Sequence, residues 1–92
     1  MNELTQKALP CGHSITIAGS LKMGEFRRWV KAEKEGDLEA VYPYLAKVVT
    51  AWDWADLDPK APESYDELLL SEYRQVVQAV SEYLMAEAAS KN

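Results

Sequence analysis

The clearest helical pattern of the chain lies in residues 38–52, which read LEAVYPYLAKVVTAW. Counted from Leu38, apolar side chains recur at i+3, i+4, i+7, i+10, i+11 and i+14, and the last of them is Trp52. This spacing places one apolar stripe along an α-helix. Pro43 interrupts it, because proline has no amide hydrogen for the carbonyl four residues earlier. Either one helix kinks at Pro43, which we favour, or a short turn precedes a helix that begins there.

A second helix is predicted upstream, over residues 21–35. It is expected to end at Gly36, because glycine readily adopts the left-handed conformation found at helix C-termini. Asp37 is the predicted N-cap of the following helix, since its carboxylate can accept a hydrogen bond from a free amide in the first turn. The inner stripe of the upstream helix is predicted to consist of Met23, Phe26, Trp29 and Val30.

A third helix is predicted after Ser71. Its buried stripe is predicted to be Tyr73, Val76, Val77, Val80 and Leu84. Residues 53–70 before it read as an acidic loop containing prolines. Within that loop Ser64 and Glu67 match the S-x-x-E capping box, which predicts one helical turn starting at Ser64.

The start of the chain has the pattern of a β-hairpin. Residues 14–17, SITI, alternate polar and apolar side chains, as a half-buried strand does. Pro10 and Gly12 favour a turn between this strand and residues 7–9. An isolated hairpin is marginally stable in water, so it must lie on the helices or pair with another chain.

These elements predict an α+β fold, with a short N-terminal β-hairpin followed by a three-helix core. A chain of 92 residues is too short for two independent cores, so we expect a single small domain over residues 7–88. Residues 1–6 and 89–92 are expected to be flexible.

The composition excludes several classes of protein. Fifteen acidic against ten basic residues give a net charge of −5 and a pI near 4.8, which is unlike a nucleic-acid-binding domain. No stretch has the length and apolar character of a membrane span, and residues 1–4 do not begin a secretory signal. The single cysteine cannot form an internal disulfide. We therefore expect a cytoplasmic protein that binds neither nucleic acid nor a membrane.

The reactive side chains do not assemble a catalytic set. Cys11 and His13 flank a turn glycine, and no second cysteine or histidine exists to complete a zinc site. Asp53, Asp56 and Asp58 lack the spacing, the central glycine and the distal glutamate of a calcium loop. We expect no enzymatic activity, no metal and no cofactor.

Four residues are candidates for binding a protein partner. Trp52 completes a helical stripe, whereas Trp54 is either a loop anchor or an exposed aromatic that suits a partner, as Tyr65 does. Arg27 and Lys31 lie one turn apart on the upstream helix, and the acidic residues cluster in 53–72. Such polarity is usually a solvated surface, but it also suits self-association or docking to a charged partner.

The order of these elements resembles that of the small tail assembly chaperones of long-tailed phages and prophages. The segments that carry the resemblance are SITI at 14–17, EFRRW at 25–29, GD at 36–37, VVTAWDW at 48–54 and SYDEL at 64–68. It covers residues 9–84.

The resemblance implies a non-enzymatic helper that binds the largely helical tape measure protein while the tail is built. Members of that family are often also made as a longer frameshifted form, on which this sequence is silent. The family has no catalytic motif to transfer. The alternative is a small acidic phage protein, structural or regulatory, that binds a host or virion protein.

Overall fold

A computed structural model describes residues 5–90 of the chain, with side chains to residue 89. It confirms the α+β class in one small domain. The strands are β1 (Thr5–Ala8), β2 (Ser14–Ile17) and β3 (Val49–Trp52). The helices are α1 (Met23–Glu35), α2 (Leu38–Val48) and α3 (Leu70–Ser90), and a 3₁₀ helix spans Pro62–Glu67.

The ends of the predicted domain differ slightly from the structure. Residues 5 and 6 belong to β1, and residues 89 and 90 belong to α3. The predicted flexibility of residues 1–4 and 91–92 concerns positions outside the described residues.

The sheet has three antiparallel strands in the order β1-β2-β3, so the predicted hairpin gains a third strand from its own chain. In the hairpin Lys7 lies opposite Ile15. On the other side of β2, Ile15 lies opposite Trp52. A bulge at Thr50 shifts the register, and the hydroxyl of Thr50 donates to the carbonyl of Thr16 at 3.3 Å. Pairing within the chain thus stabilises a hairpin that would be marginal alone.

The prediction that one helix reaches Trp52 is wrong. α2 ends at Val48, and the next four residues form β3. Val48, Val49 and Thr50 are β-branched and favour extended backbone. β2 offers backbone partners there, so the chain exchanges helical hydrogen bonds for ladder hydrogen bonds. α2 is continuous across Pro43, which rules out a helix that begins at this proline.

The boundary between α1 and α2 matches the prediction. Gly36 has φ of 70°, and its amide donates to the carbonyls of the last α1 turn. The carboxylate of Asp37 accepts from the amide of Ala40 at 3.3 Å and caps α2. Both features are local, and a short stretch of sequence is enough to specify them.

The predicted inner face of α1 is only partly right. Trp29 is buried and Phe26 half-buried, but Met23 and Val30 are exposed. Ala32, three residues after Trp29, is buried instead. The buried side of the helix is therefore rotated away from Met23 and Val30, because α1 packs on α2.

The helical turn predicted at Ser64 is present within the 3₁₀ helix, which begins two residues earlier at Pro62, but the capping box is absent. Ser64 is buried inside the 3₁₀ helix, and its hydroxyl accepts from the amide of Asp58 at 3.2 Å. α3 begins at Leu70, where the carboxylate of Glu72 accepts from the amide of Leu69 at 3.2 Å. α1 starts in the same way, with Glu25 accepting from the amide of Lys22 at 2.9 Å.

One core joins the inner face of the sheet to the three helices. Ile15 and Ile17 of β2 are almost fully buried, as is Leu45 of α2. From α3 the core receives four of the five predicted side chains, while Val77 is only half-buried. Those four are Tyr73, Val76, Val80 and Leu84.

Candidate protein-binding groove between α1 and α3

Trp54, the first predicted binding residue, is half-buried at the end of the sheet. Its ring stacks on that of His13, with centroids 4.1 Å apart and planes inclined by 17°. It also meets Trp52 edge-on at 5.2 Å. Trp54 therefore matches both alternatives predicted from the sequence, because it anchors its loop and also keeps part of its ring exposed.

Tyr65, the second predicted binding residue, lies in the core. It is 1% exposed, its hydroxyl donates to the carbonyl of Pro59 at 2.7 Å, and Trp52 packs against it edge-on. A side chain enclosed in this way cannot contact a partner without unfolding its surroundings. Burial also raises the pKa of Tyr65. The structure thus corrects the proposed role of Tyr65 as a binding anchor.

Arg27 and Lys31 are exposed on α1, one turn apart, as predicted. Neither makes a hydrogen bond or an ion pair with its side chain within residues 5–89. They lie on a different element from Trp54, so the four predicted residues do not form one site.

His13 connects the hairpin turn to two other elements. Its Nδ1 lies 2.6 Å from a carboxylate oxygen of Asp53, and its Nε2 lies 3.6 Å from Glu72 of α3. Asp53 also accepts from the amide of Ser14 at 3.2 Å. The two carboxylates approach different nitrogen atoms of the ring, so the three side chains do not surround a common site.

The cluster around His13 thus links β2, the end of β3 and α3. Cys11 is exposed beside it, and its amide donates to the side chain of Gln75 at 2.9 Å. No group of three or more side chains with metal-ligating chemistry is arranged for a metal ion in the described part of the chain.

The surface between α1 and α3 is an open groove, because α1 packs closely on α2 and approaches α3 at few points. One depression, of about 290 Å³, lies between Met23 and Phe26 of α1 and Leu84 of α3. Another, of about 510 Å³, lies between Glu33 of α1 and Val77 of α3. The first depression lies beside the start of α1 and the second beside its end, while on α3 the first depression has the higher residue numbers. The two helices are therefore antiparallel, and the two depressions lie in line between them.

We call this surface the α1–α3 groove. Met23 and Phe26 of α1 and Leu70, Val77 and Leu84 of α3 line its two depressions. Val30 belongs to it by helical spacing, seven residues after Met23 and four after Phe26. The hydroxyl of Ser81 donates to the carboxylate of Glu33 at 3.2 Å and bridges the two helices.

Large apolar side chains are exposed along the α1–α3 groove. Met23, Val30 and Leu70 are between 40% and 67% exposed, and Leu38 at the end of the groove is 46% exposed. Single exposed apolar residues are normal on a protein surface. An apolar row that faces a depression is instead typical of a surface that binds a ligand or a partner.

A buried hydroxyl lies beside the second depression. Tyr73 lines it and is 6% exposed, and its hydroxyl has no hydrogen-bond partner among the described atoms. Burial raises the pKa of Tyr73, and the nearby Tyr42 and Glu33 add to the effect. A buried hydroxyl without a hydrogen-bond partner costs free energy.

Basic side chains stand along the rim of the α1–α3 groove. Arg27 and Lys34 each follow a groove residue of α1 by four positions, and Arg74 of α3 lines the second depression from the opposite side. None of the three forms an ion pair within residues 5–89. These three basic side chains lie at the groove together with the carboxylates of Glu33 and Glu87, on a protein whose net charge is −5.

The sequence contained a signal for this groove. The apolar positions of α1 cover two adjacent faces of the helix, one with Trp29 and Ala32 and one with Met23 and Val30. A helix of three and a half turns that packs on one neighbour can bury only one of these faces. Which face would be buried depended on the packing of α2.

Comparison with known proteins gave no matching family, no similar curated protein and no similar solved structure. No helix within residues 5–90 combines the length and the apolar character needed to cross a bilayer.

Proposed function

We propose that the chain is a non-enzymatic tail assembly chaperone of a long-tailed phage or prophage. In this proposal it binds a helical segment of the tape measure protein in the cytoplasm of the host cell and keeps that segment from aggregating until the tail tube forms around it. The observation that carries the proposal is the α1–α3 groove, which exposes an apolar row between two helices that touch at few points.

The shape of the groove supports a helical occupant. An amphipathic helix commonly binds by placing its apolar face in a groove between helices of its partner. α1 has 13 residues, so the groove is about 20 Å long at the usual rise per residue. This length accommodates between three and four turns of a bound helix.

The alternative is a small acidic structural or regulatory protein that binds a host or virion protein. The observation that favours it lies in residues 53–72, where Asp56, Glu63 and Glu67 are exposed. They make no side-chain hydrogen bond or ion pair within the described residues. Charged groups of this kind affect the rate and the specificity of association.

The proposal predicts that a tape measure gene lies beside that of this chain, and co-expression of the two proteins tests it. We expect the two proteins to purify together and the tape measure protein to become insoluble without this chain. Leu70→Ala should weaken the complex, whereas Leu69→Ala is a matched control. Leu69 is 68% exposed against 63% for Leu70, and only Leu70 lines the groove.

A tape measure protein that stays soluble alone and forms no complex at micromolar concentrations would contradict the chaperone function. In that case, charge reversal at Glu63 and Glu67 tests the alternative through the capture of host or virion proteins.

A further inference from the structure

We infer that the α1–α3 groove selects a helix whose apolar stripe is flanked by acidic residues. This inference rests on the proposed function and adds the chemistry of the partner. Two features of the groove carry it, namely the exposed apolar row and the unpaired basic rim.

The apolar row determines the spacing of the partner's apolar side chains. Met23 and Phe26 border one depression, and Leu70 and Val77 border the other. A helix lying between α1 and α3 reaches both depressions with residues on one face, at i, i+3 or i+4, i+7 and i+11. Val30, which is exposed, is placed between the two depressions by helical spacing.

The rim determines the charge beside that apolar face. Arg27 and Lys34 stand on the α1 side and Arg74 stands on the α3 side of the second depression, so a bound helix meets basic side chains on both edges. Two acidic groups also lie at the groove. Glu33 already accepts from Ser81, and Glu87 accepts from Ser20.

Acidic residues on the flanks of the partner would pair with this rim, and basic residues would be repelled. Each exposed ion pair contributes little, but reversing a charge turns attraction into repulsion. The rim therefore acts mainly on the choice of partner, while burial of the apolar row supplies most of the affinity.

A second copy of the chain is a weaker candidate for the occupant. Its acidic segment with an exposed leucine, residues 63–69, contains a 3₁₀ helix of six residues. This segment is too short to fill a groove of about 20 Å. A separate amphipathic helix fits both the length and the charge of the groove.

The test uses two end-capped model peptides of about 15 residues that differ only in the charge of their flanks. Both carry leucine at the helical spacing given above, flanked by glutamate in one peptide and by lysine in the other. Binding to the full chain is measured by fluorescence anisotropy at low and at high salt. We expect the glutamate peptide to bind roughly tenfold more tightly at low salt, and the difference to shrink as salt screens the rim.

Matched variants locate the effect. Arg27→Glu should weaken the glutamate peptide about fivefold and strengthen the lysine peptide, because it reverses one rim charge. Arg28→Glu changes the net charge equally on the neighbouring residue, which points away from the groove by helical spacing, and should affect both peptides little. Leu70→Ala should weaken both peptides about fivefold, and Leu69→Ala should not.

Three results would overturn the inference. Equal binding of both peptides, with loss in Leu70→Ala, would refute the charge preference while the groove remains a helix-binding site. No binding of either peptide, or binding insensitive to Leu70→Ala, would refute the groove itself. A dimer in sedimentation equilibrium that Leu70→Ala dissociates would make a second copy the occupant. The proposed function is decided separately, by co-purification with the tape measure protein.

Discussion

Three buried tyrosines differ in the hydrogen bonds that their hydroxyls make. Tyr65 and Tyr73 are both buried, but Tyr65 donates to the carbonyl of Pro59 and Tyr73 has no hydrogen-bond partner among the described atoms. Tyr42 packs against both rings and donates to Asp66 at 2.9 Å. The positions of these side chains depend on tertiary packing, and no local pattern in the sequence specifies them.

Removing the hydroxyls of Tyr65 and Tyr73 should have different effects on the free energy of unfolding. Tyr65→Phe should lower the free energy of unfolding by about 1 kcal/mol, because the carbonyl of Pro59 loses its donor. Tyr73→Phe should leave it unchanged or raise it by up to about 1 kcal/mol, because it removes an unpaired buried group. Urea denaturation of both variants measures the difference, and an equal loss at both sites would contradict the hydrogen bonding described here.

The elements of the fold are held at their ends by acidic side chains. Asp37 caps α2, while Glu25 and Glu72 accept from the amides that precede α1 and α3. Glu25 also pairs with Lys47 of α2. The hydrogen bond from Lys47, followed by that from the amide of Lys22, lowers the pKa of Glu25. Asp37, Glu25 and Glu72 therefore have structural roles.

The end of β3 offers a test of such a role. Asp53 accepts from both His13 and the amide of Ser14, whereas Asp56 has no such contact within the described residues. Asp53→Ala should lower the free energy of unfolding by about 1 kcal/mol, since these hydrogen bonds join β2 to the loop after β3. Asp56→Ala removes the same charge and serves as the control. Equal stability of the two variants in urea denaturation would show that the cluster contributes nothing.

The register of α3 can be tested in the same way. Val76 is fully buried, whereas Val77 is half-buried at the groove. Val76→Ala should lower the free energy of unfolding by about 1–3 kcal/mol and Val77→Ala by clearly less, because less buried volume is lost. Leu45→Ala in α2 should cost about 2–4 kcal/mol. A larger loss at Val77 than at Val76 would mean that α3 is rotated relative to this structure.

At the scale of the whole molecule, the buried tyrosines predict sensitivity to alkaline pH. Burial, followed by the hydrogen bond to Asp66, raises the pKa of Tyr42 to about 12, and burial raises the pKa of Tyr65 and Tyr73 as well. In the unfolded chain these groups ionise near pH 10. Stability that is complete below pH 10 should therefore fall as pH rises toward 12, because only the unfolded state ionises readily.

Urea denaturation across this pH range, followed by circular dichroism, measures the effect. Tyr42→Phe removes one of the three groups and should flatten the decline. A free energy of unfolding that does not change between about pH 9 and pH 11 would contradict the burial of these tyrosines.

Features that depend on neighbouring residues could be predicted from the amino-acid sequence. The hairpin of β1 and β2, the stop at Gly36, the cap at Asp37 and most of the α3 stripe follow from turn chemistry and periodicity over a few positions. The α+β class follows from the order of these elements. Such local signals act through contacts that the backbone makes within one or two turns.

Three features depend on packing between distant parts of the chain: the end of α2, the buried face of α1 and the burial of Tyr65. Residues 49–52 are compatible with helix or strand, and β2 selects the strand by pairing with it. α1 has two apolar faces, and α2 covers the one with Trp29, which leaves Met23 and Val30 in the groove. Each of these outcomes depends on a partner distant in sequence, so the free energy that decides it appears only when the chain is packed.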